Sequence, residues 1–183
     1  RESARNDAVI HLNIGIGFSC CHQNACLAAE AAEAGASVEQ ILTMLAEKIP
    51  QVEMSFVLDR LDYMKMGGRC SAVTLLGANL LKLRPCIEVK DGKMGVGKKY
   101  RGSFEKCLVQ YITDKIGARS DLELRRVFIT HSGLPEETVQ KAVETVQKLQ
   151  PFDEICVTRA GCTVSSHCGP GTIGVLYIRK AEA

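Results

Sequence analysis

The run Arg84-Pro85-Cys86-Ile87-Glu88-Val89-Lys90, then Asp91-Gly92, then Lys93-Met94-Gly95-Val96-Gly97-Lys98-Lys99-Tyr100, decides the fold class. Two stretches carrying β-favouring residues meet at an Asp-Gly pair, which takes positive φ at low cost, so the segment reads as an antiparallel hairpin. Upstream, Met54 to Leu58 reads as a strand, Arg60 to Met66 as a short helix, and Gly67-Gly68 as a turn before an apolar helix from Ser71. Downstream come an amphipathic helix from Ser103 to Ile116, a strand from Arg126 to His131, and a helix from Pro135-Glu136-Glu137 to Leu149. Two last strands, Glu154 to Arg159 and Ile173 to Arg179, are separated by a Gly- and Ser-rich segment, Gly161 to Gly171, that reads as a loop. Six strands with helices between them predict an α/β (α+β) fold: one largely antiparallel or mixed six-stranded sheet with flanking helices.

The first fifty residues differ in character. A short apolar strand, Ala8 to Leu12, leads through Gly15 and Gly17 into an Ala-rich helix from Ser19 to Ala34, which Gly35 stops. Ser37 with Gln40 forms a capping box for a second helix, whose stripe is Val38, Ile41, Leu42, Leu45 and Ile49 and which Pro50 ends. This pattern predicts two units, residues 1–50 as the remnant of a parallel α/β domain and residues 51–183 as a second domain. A lone parallel strand cannot stand by itself.

Composition narrows the functional classes. The chain has 183 residues, 46% of them hydrophobic, enough to bury a core. Its net charge is +2, with Lys and Arg interspersed among nearly as many carboxylates, so no phosphate-tracking stripe is present and nucleic acid is not expected as a partner. No apolar run approaches the roughly 20 residues of a membrane helix, and the start lacks the apolar core of a secretion signal. The expectation is a cytoplasmic protein with no integral membrane segment. Nine cysteines, an odd number without any C-x-x-C pair, read as reduced thiols, with Cys86, Cys107 and Cys156 at positions suited to small buried residues. A zinc or thiol-redox protein using Cys20, Cys21, His22 and Cys26, or Cys162, His167 and Cys168, is the alternative from another class; a purely structural or regulatory interaction domain is a third.

Three segments carry chemistry. In Gly67-Gly68-Arg69-Cys70-Ser71, a glycine turn presents a guanidinium beside a helix start capped by Ser71, an arrangement that favours a carboxylate or phosphate; a capped helix with an exposed arginine is the plainer reading. In Ser165-Ser166-His167-Cys168-Gly169-Pro170-Gly171, a histidine among hydroxyls and glycines could donate to an anion, or be an ordinary surface histidine. Lys98, Lys99 and Arg101 form a basic cluster that suits an acidic partner, or merely guards a sheet edge. Gly169 to Gly174 matches G-x-G-x-x-G but opens a strand where a dinucleotide site opens a helix, and Gly95-Val96-Gly97-Lys98 lacks the phosphate-loop spacing.

The residues Phe56-Val57-Leu58-Asp59, Tyr63 to Ser71, Leu75-Leu76-Gly77, Arg84-Pro85, Glu88 to Lys93, Lys99 to Gly102, Ile129-Thr130-His131 and Ser166-His167-Cys168-Gly169-Pro170-Gly171 fall in one order that resembles the DegV family. The likeness covers residues 50 to 180 well and the first fifty more loosely. It implies a two-domain α/β protein that is not itself an enzyme, needs no cofactor or metal, and holds one long-chain fatty acid between its domains. The carboxylate would be bound by Arg69 and His167, with Ser71, Ser166 and Gly169 beside them and with hydroxyls of the N-terminal domain. It further implies a partner, a fatty acid kinase that phosphorylates the bound acid, for which Arg101 and Lys99 are the contact residues. The family's N-terminal strands have no counterpart before Arg1, so the expectation is a truncated chain with a half-built site and self-association through the exposed surface. Cys168 stands where the family often has threonine.

Overall fold

The computed structural model of the protein describes residues 20–66, 83–90 and 93–180. The expected strand at residues 8–12, the turn and helix at residues 67–82, and the Asp91-Gly92 pair lie outside them. The elements are α1 (Cys20–Glu33), α2 (Val38–Lys48), β1 (Val52–Val57), α3 (Asp62–Met66), β2 (Leu83–Lys90), β3 (Lys93–Arg101), α4 (Phe104–Ile112), β4 (Arg126–Ser132), α5 (Glu136–Leu149), β5 (Glu154–Arg159), α6 (Cys162–Cys168) and β6 (Thr172–Ile178).

All six expected strands form, in one sheet of order β3-β2-β1-β6-β4-β5. Every neighbouring pair is antiparallel except β4 and β5, which run parallel with Thr130 opposite Thr158. That one parallel pair arises because α5 links β4 to β5 as a crossover, which returns the chain to the same end of the sheet.

Side chains alternate across the sheet and create two cores. Val57, Cys86, Ile129, Val175 and Tyr177 face the larger one, where Cys107, Leu108, Tyr111 and Ile112 of α4 and Ala142 and Val146 of α5 cover them. Phe56 and its cross-strand partner Ile87 face the other side. There they join Leu58, Met64, Ala160 and Cys168 in a smaller cluster, packed by Met54, Leu61, Val96 and Val164. Ser103 caps α4 and the helix begins where the sequence reading starts it, but the α-helix ends at Ile112 and a wider π turn, Thr113–Gly117, completes the segment expected to run as one helix to Ile116. The turn keeps Ile116 buried in the larger core, so packing overrides the regular period.

Beyond the π turn, Arg119 holds the bottom of the sheet. Its guanidinium reaches Glu53 Oε2 at 2.6 Å and Asp121, and the Tyr177 hydroxyl donates to the same Glu53 oxygen at 2.8 Å. Burial would raise the Glu53 carboxyl, but the hydrogen bonds from Arg119 and Tyr177 and the charges of Arg119 and Arg179 outweigh it and hold the group below its ordinary 4.5. A carboxyl depressed in the folded state contributes stability that is present above its unfolded value and disappears as pH falls through the folded one. Stability measured by urea unfolding is therefore expected to decline below about pH 4.5, and Glu53→Gln is expected to be less stable near neutrality and to show a shallower acid decline. An unchanged acid limb in the variant would remove Glu53 from the account. Glu53 and Glu88 also line a polar cavity of about 490 Å³ with Ser55, Lys115 and Tyr177, whose carboxylates are taken up by Arg119 and Arg179 on one side and Lys115 and Lys90 on the other.

Candidate functional site

The segment from Gly161 to Gly171 is not a loop, as its composition suggests, but holds the helix α6. Thr, Val and Ser are weak helix formers, and what decides the conformation is local capping together with burial. Gly161 enters with extended backbone, the Ser165 N–H donates to the Gly161 carbonyl at 2.9 Å, and the Ser165 hydroxyl donates to the Ala160 carbonyl at 3.1 Å. Val164 and Cys168, one turn apart, pack on the smaller core against Phe56, Leu58 and Met64. The helix also turns His167 and Cys168 about 100° apart, so Cys168 is buried while His167 is half-buried at the helix end.

His167 Nδ1 is shielded from solvent and has no hydrogen-bond partner among the described residues. A shielded imidazole nitrogen without a partner is costly, and a ligand oxygen there would supply one. Ser166 is exposed and its hydroxyl donates to the Thr163 carbonyl at 2.8 Å, which leaves its oxygen lone pairs as acceptors. Arg69 and Ser71 lie outside the described residues.

After His167 the backbone reverses. Gly169 has φ 76° and ψ 170°, a region essentially reserved for glycine. The Tyr63 ring of α3 presses on it, so closely that a Cβ there would sit 2.5 Å from Tyr63 Cδ2. Gly171, also at positive φ, donates its N–H to the Ser132 carbonyl at 2.8 Å and lies against Asp59, which a Cβ would approach to 2.8 Å. Asp59 in turn pairs with Arg84, Nη2 to Oδ1 at 2.8 Å, and Arg84 Nη1 donates to the Gly102 carbonyl at 2.7 Å. The turn after α6 is thus clamped by the ends of β1, β2, β4 and the start of α3. Asp59, Tyr63 and Arg84 enter the sequence reading only within longer stretches, those that carry the resemblance included, with no part assigned to the site; the signal for that part was the two glycines, whose need for close approach implies large neighbours.

Lys99 and Arg101 are exposed on the edge strand β3, while Lys98 pairs with Asp114 at 2.6 Å. His131 accepts from the Leu134 N–H at 3.3 Å through Nδ1, and burial together with the Arg159 charge holds it below its ordinary value, so it serves the turn after β4. Cys162 is exposed and Cys168 buried, and among the described residues no group of three or more His, Cys, Asp or Glu gathers for a metal. Burial pushes the thiols of Cys86 and Cys168 up to about 11. Iodoacetamide at neutral pH is therefore expected to modify Cys162 and spare Cys86, Cys107 and Cys168 in the native protein, read by peptide mass spectrometry; rapid labelling of Cys168 would revive a reactive thiol. No helix among the described residues is long and apolar enough to cross a membrane.

A protein from Thermotoga maritima named fatty acid-binding protein is 29% identical over 152 residues, covering 81% of this chain and 51% of its own length. A crystal structure of a DegV lipid-binding protein from Thermotoga maritima superposes with a TM-score of 0.73 at 26% identity, over 88% of this chain and 55% of that one. The fatty acid kinase (Fak) B3 protein of Streptococcus pneumoniae, solved with linoleic acid, shares the fold at a TM-score of 0.73 and 19% identity, over 85% of this chain and 54% of that one. The chain spans about half the length of the curated relatives it matches. The family model described as an uncharacterised protein of the DegV family matches residues 24–180, and the chain belongs to that family.

Proposed function

We propose that the whole protein binds a long-chain fatty acid by its carboxylate and presents it to a fatty acid kinase, with no catalysis of its own. The observation that carries this reading is the solvent-shielded Nδ1 of His167, which has no partner among the described residues and belongs to the helix whose Val164 and Cys168 pack on the cluster of Phe56, Leu58, Met64 and Ile87. A carboxylate would give that nitrogen the partner it lacks, and a fatty acid is the anion that brings an apolar chain with it. Arg69 and Ser71 complete the carboxylate site in this reading, Ser166 joins it by turning its hydroxyl proton away from the Thr163 carbonyl, and Gly169, whose N–H is given to the Ser165 carbonyl, shapes the turn; a guanidinium beside an imidazole suits a single anion. The ligand named for the Thermotoga maritima relative supports the same class. The kinase step rests on the DegV likeness and on the name of the Streptococcus pneumoniae protein, which shares the fold; Arg101 and Lys99 are the exposed cations assigned to that contact.

Native mass spectrometry with lipid extraction tests the reading. The whole protein is expected to carry a fatty acid, and His167→Ala and Arg69→Ala are each expected to lose it. A lipid-free wild type would overturn the carrier function, and full retention in both variants would overturn the site. Arg101→Ala is expected to keep the acid and slow its phosphorylation; unchanged kinase turnover would remove Arg101 from the contact.

A further inference from the structure

One side chain joins the two surfaces just described. Arg84, at the start of β2, is largely buried, with 18% of its side chain exposed. Its guanidinium faces two ways. Nε and Nη2 reach Asp59 Oδ1 at 3.1 and 2.8 Å, while Nη1 donates to the Gly102 carbonyl at 2.7 Å. The guanidinium carbon lies 5.5 Å from the centre of the Phe104 ring, the first residue of α4, which holds the plane in place.

Each arm ends at a functional segment. Asp59 packs on Gly171, four residues beyond His167, so its position sets the turn that carries the imidazole. Gly102 follows Arg101 directly and has φ 135°, so its carbonyl direction depends on a conformation that is soft in glycine and is here held by one donor. A planar fork can satisfy two acceptors at once with fixed geometry; a lysine ammonium cannot hold the same angles. Moving Asp59 thus reaches the guanidinium, and moving the guanidinium reaches the backbone of the exposed cation.

We propose that Arg84 is a positioning residue that couples the His167 turn to the Arg101 surface, through Asp59–Gly171 on one side and the Gly102 carbonyl on the other. The inference rests on the carrier reading and deepens it: Arg84 transmits the filled or empty state of the carboxylate site to the face that the kinase reads. Loaded and empty protein then differ in how firmly Arg101 is held, and the kinase discriminates between them.

The test uses the whole protein loaded with oleate, with Arg84→Gln, Arg84→Lys, Asp59→Asn and Arg101→Ala compared. Oleate affinity is read by calorimetry, and the kinase reaction by apparent KM and kcat with the loaded protein as the varied substrate. Arg84→Gln is expected to weaken oleate binding about tenfold and also to raise the apparent KM about tenfold, the scale of a lost charge-assisted hydrogen bond at each end. Arg84→Lys should fall between wild type and Arg84→Gln in both. Asp59→Asn should weaken oleate binding and also raise the KM of the loaded form, by less than Arg84→Gln because Gly102 keeps its donor, whereas Arg101→Ala should raise the KM and leave oleate affinity near wild type. A merely structural Arg84 would lower the melting temperature while oleate affinity and KM stayed together at wild-type values, which overturns the coupling. So does an Arg84→Gln variant affected at one end alone. A wild type that binds no oleate sinks the carrier reading itself, and this inference with it, a result distinct from an oleate-binding wild type with a silent Arg84.

Discussion

Gly169→Ala is expected to cost about 3 kcal/mol or more of folding stability, because strained φ/ψ and overpacking act on the same atom. The residue has φ 76° and ψ 170°, and the added methyl would meet Tyr63 Cδ2 at 2.5 Å and Cγ at 2.7 Å. Tyr63 cannot simply swing clear, since the ring is half-buried against the turn and Arg60 stands 5.8 Å from its centre. The midpoint of urea unfolding should therefore fall at unchanged slope. Combining it with Tyr63→Ala separates the two causes: the collision disappears, while the backbone cost of about 1–3 kcal/mol remains. A Gly169→Ala protein within about 0.5 kcal/mol of wild type would mean that the turn is not held as described. Since the same turn carries His167, the proposed carrier reading also expects the variant to lose fatty acid before it unfolds.

The second large effect lies on the opposite face of the sheet. The Tyr111 hydroxyl is fully buried, donates to the Ser55 carbonyl at 2.7 Å, lies 2.9 Å from Ser55 Oγ and accepts from the Val175 N–H at 3.1 Å. One proton given and two received fills the oxygen, and it joins β1 to β6 from above. Burial pushes this phenol well above its ordinary value, so it stays protonated and keeps its donor at any workable pH. Tyr111→Phe removes one oxygen and leaves the Val175 N–H and the Ser55 carbonyl without it, at about 1–3 kcal/mol for each buried group left unsatisfied. We expect a loss of about 3 kcal/mol by denaturant unfolding and faster amide exchange at Val175. Ser55→Ala removes only the hydroxyl contact and should cost less; equal costs would show that Tyr111 matters through Ser55 Oγ alone.

Much of the fold was legible in the chain because its signals are local. Alternation across Met54, Phe56 and Leu58 against Ser55 and Val57 marks both the strand and its two faces, and the structure divides those residues between the two cores accordingly. Ser37 with Gln40 and Ser103 mark two helix starts; the capping box at Ser37 forms as expected, and Ser103 proves to be the cap of α4. Gly161 to Gly171 was not legible, since its residue types favour a loop and only the burial of Val164 and Cys168 makes it a helix. The extent of the helical segment from Ser103 to Ile116 was legible, but its wider last turn, which keeps Ile116 inside the core, was not.

For the candidate site, residue types pointed to His167, Ser166, Gly169, Lys99 and Arg101 as candidates, because unusual chemistry among glycines and at a basic cluster shows in one dimension. Their surroundings did not. Asp59, Tyr63 and Arg84 come from segments far apart in the chain, and they meet the His167 turn only where the ends of β1, β2 and β4 converge in the sheet. The sequence by itself determined six strands, the helices between them and the chemical identity of the anion-binding candidates, since period, capping and turn preference are properties of neighbouring residues. Tertiary structure alone decided the order β3-β2-β1-β6-β4-β5, the helix at α6, and the clamp that aims His167. Those depend on which apolar faces can be buried together, a free energy that belongs to the assembled sheet and not to any stretch of it.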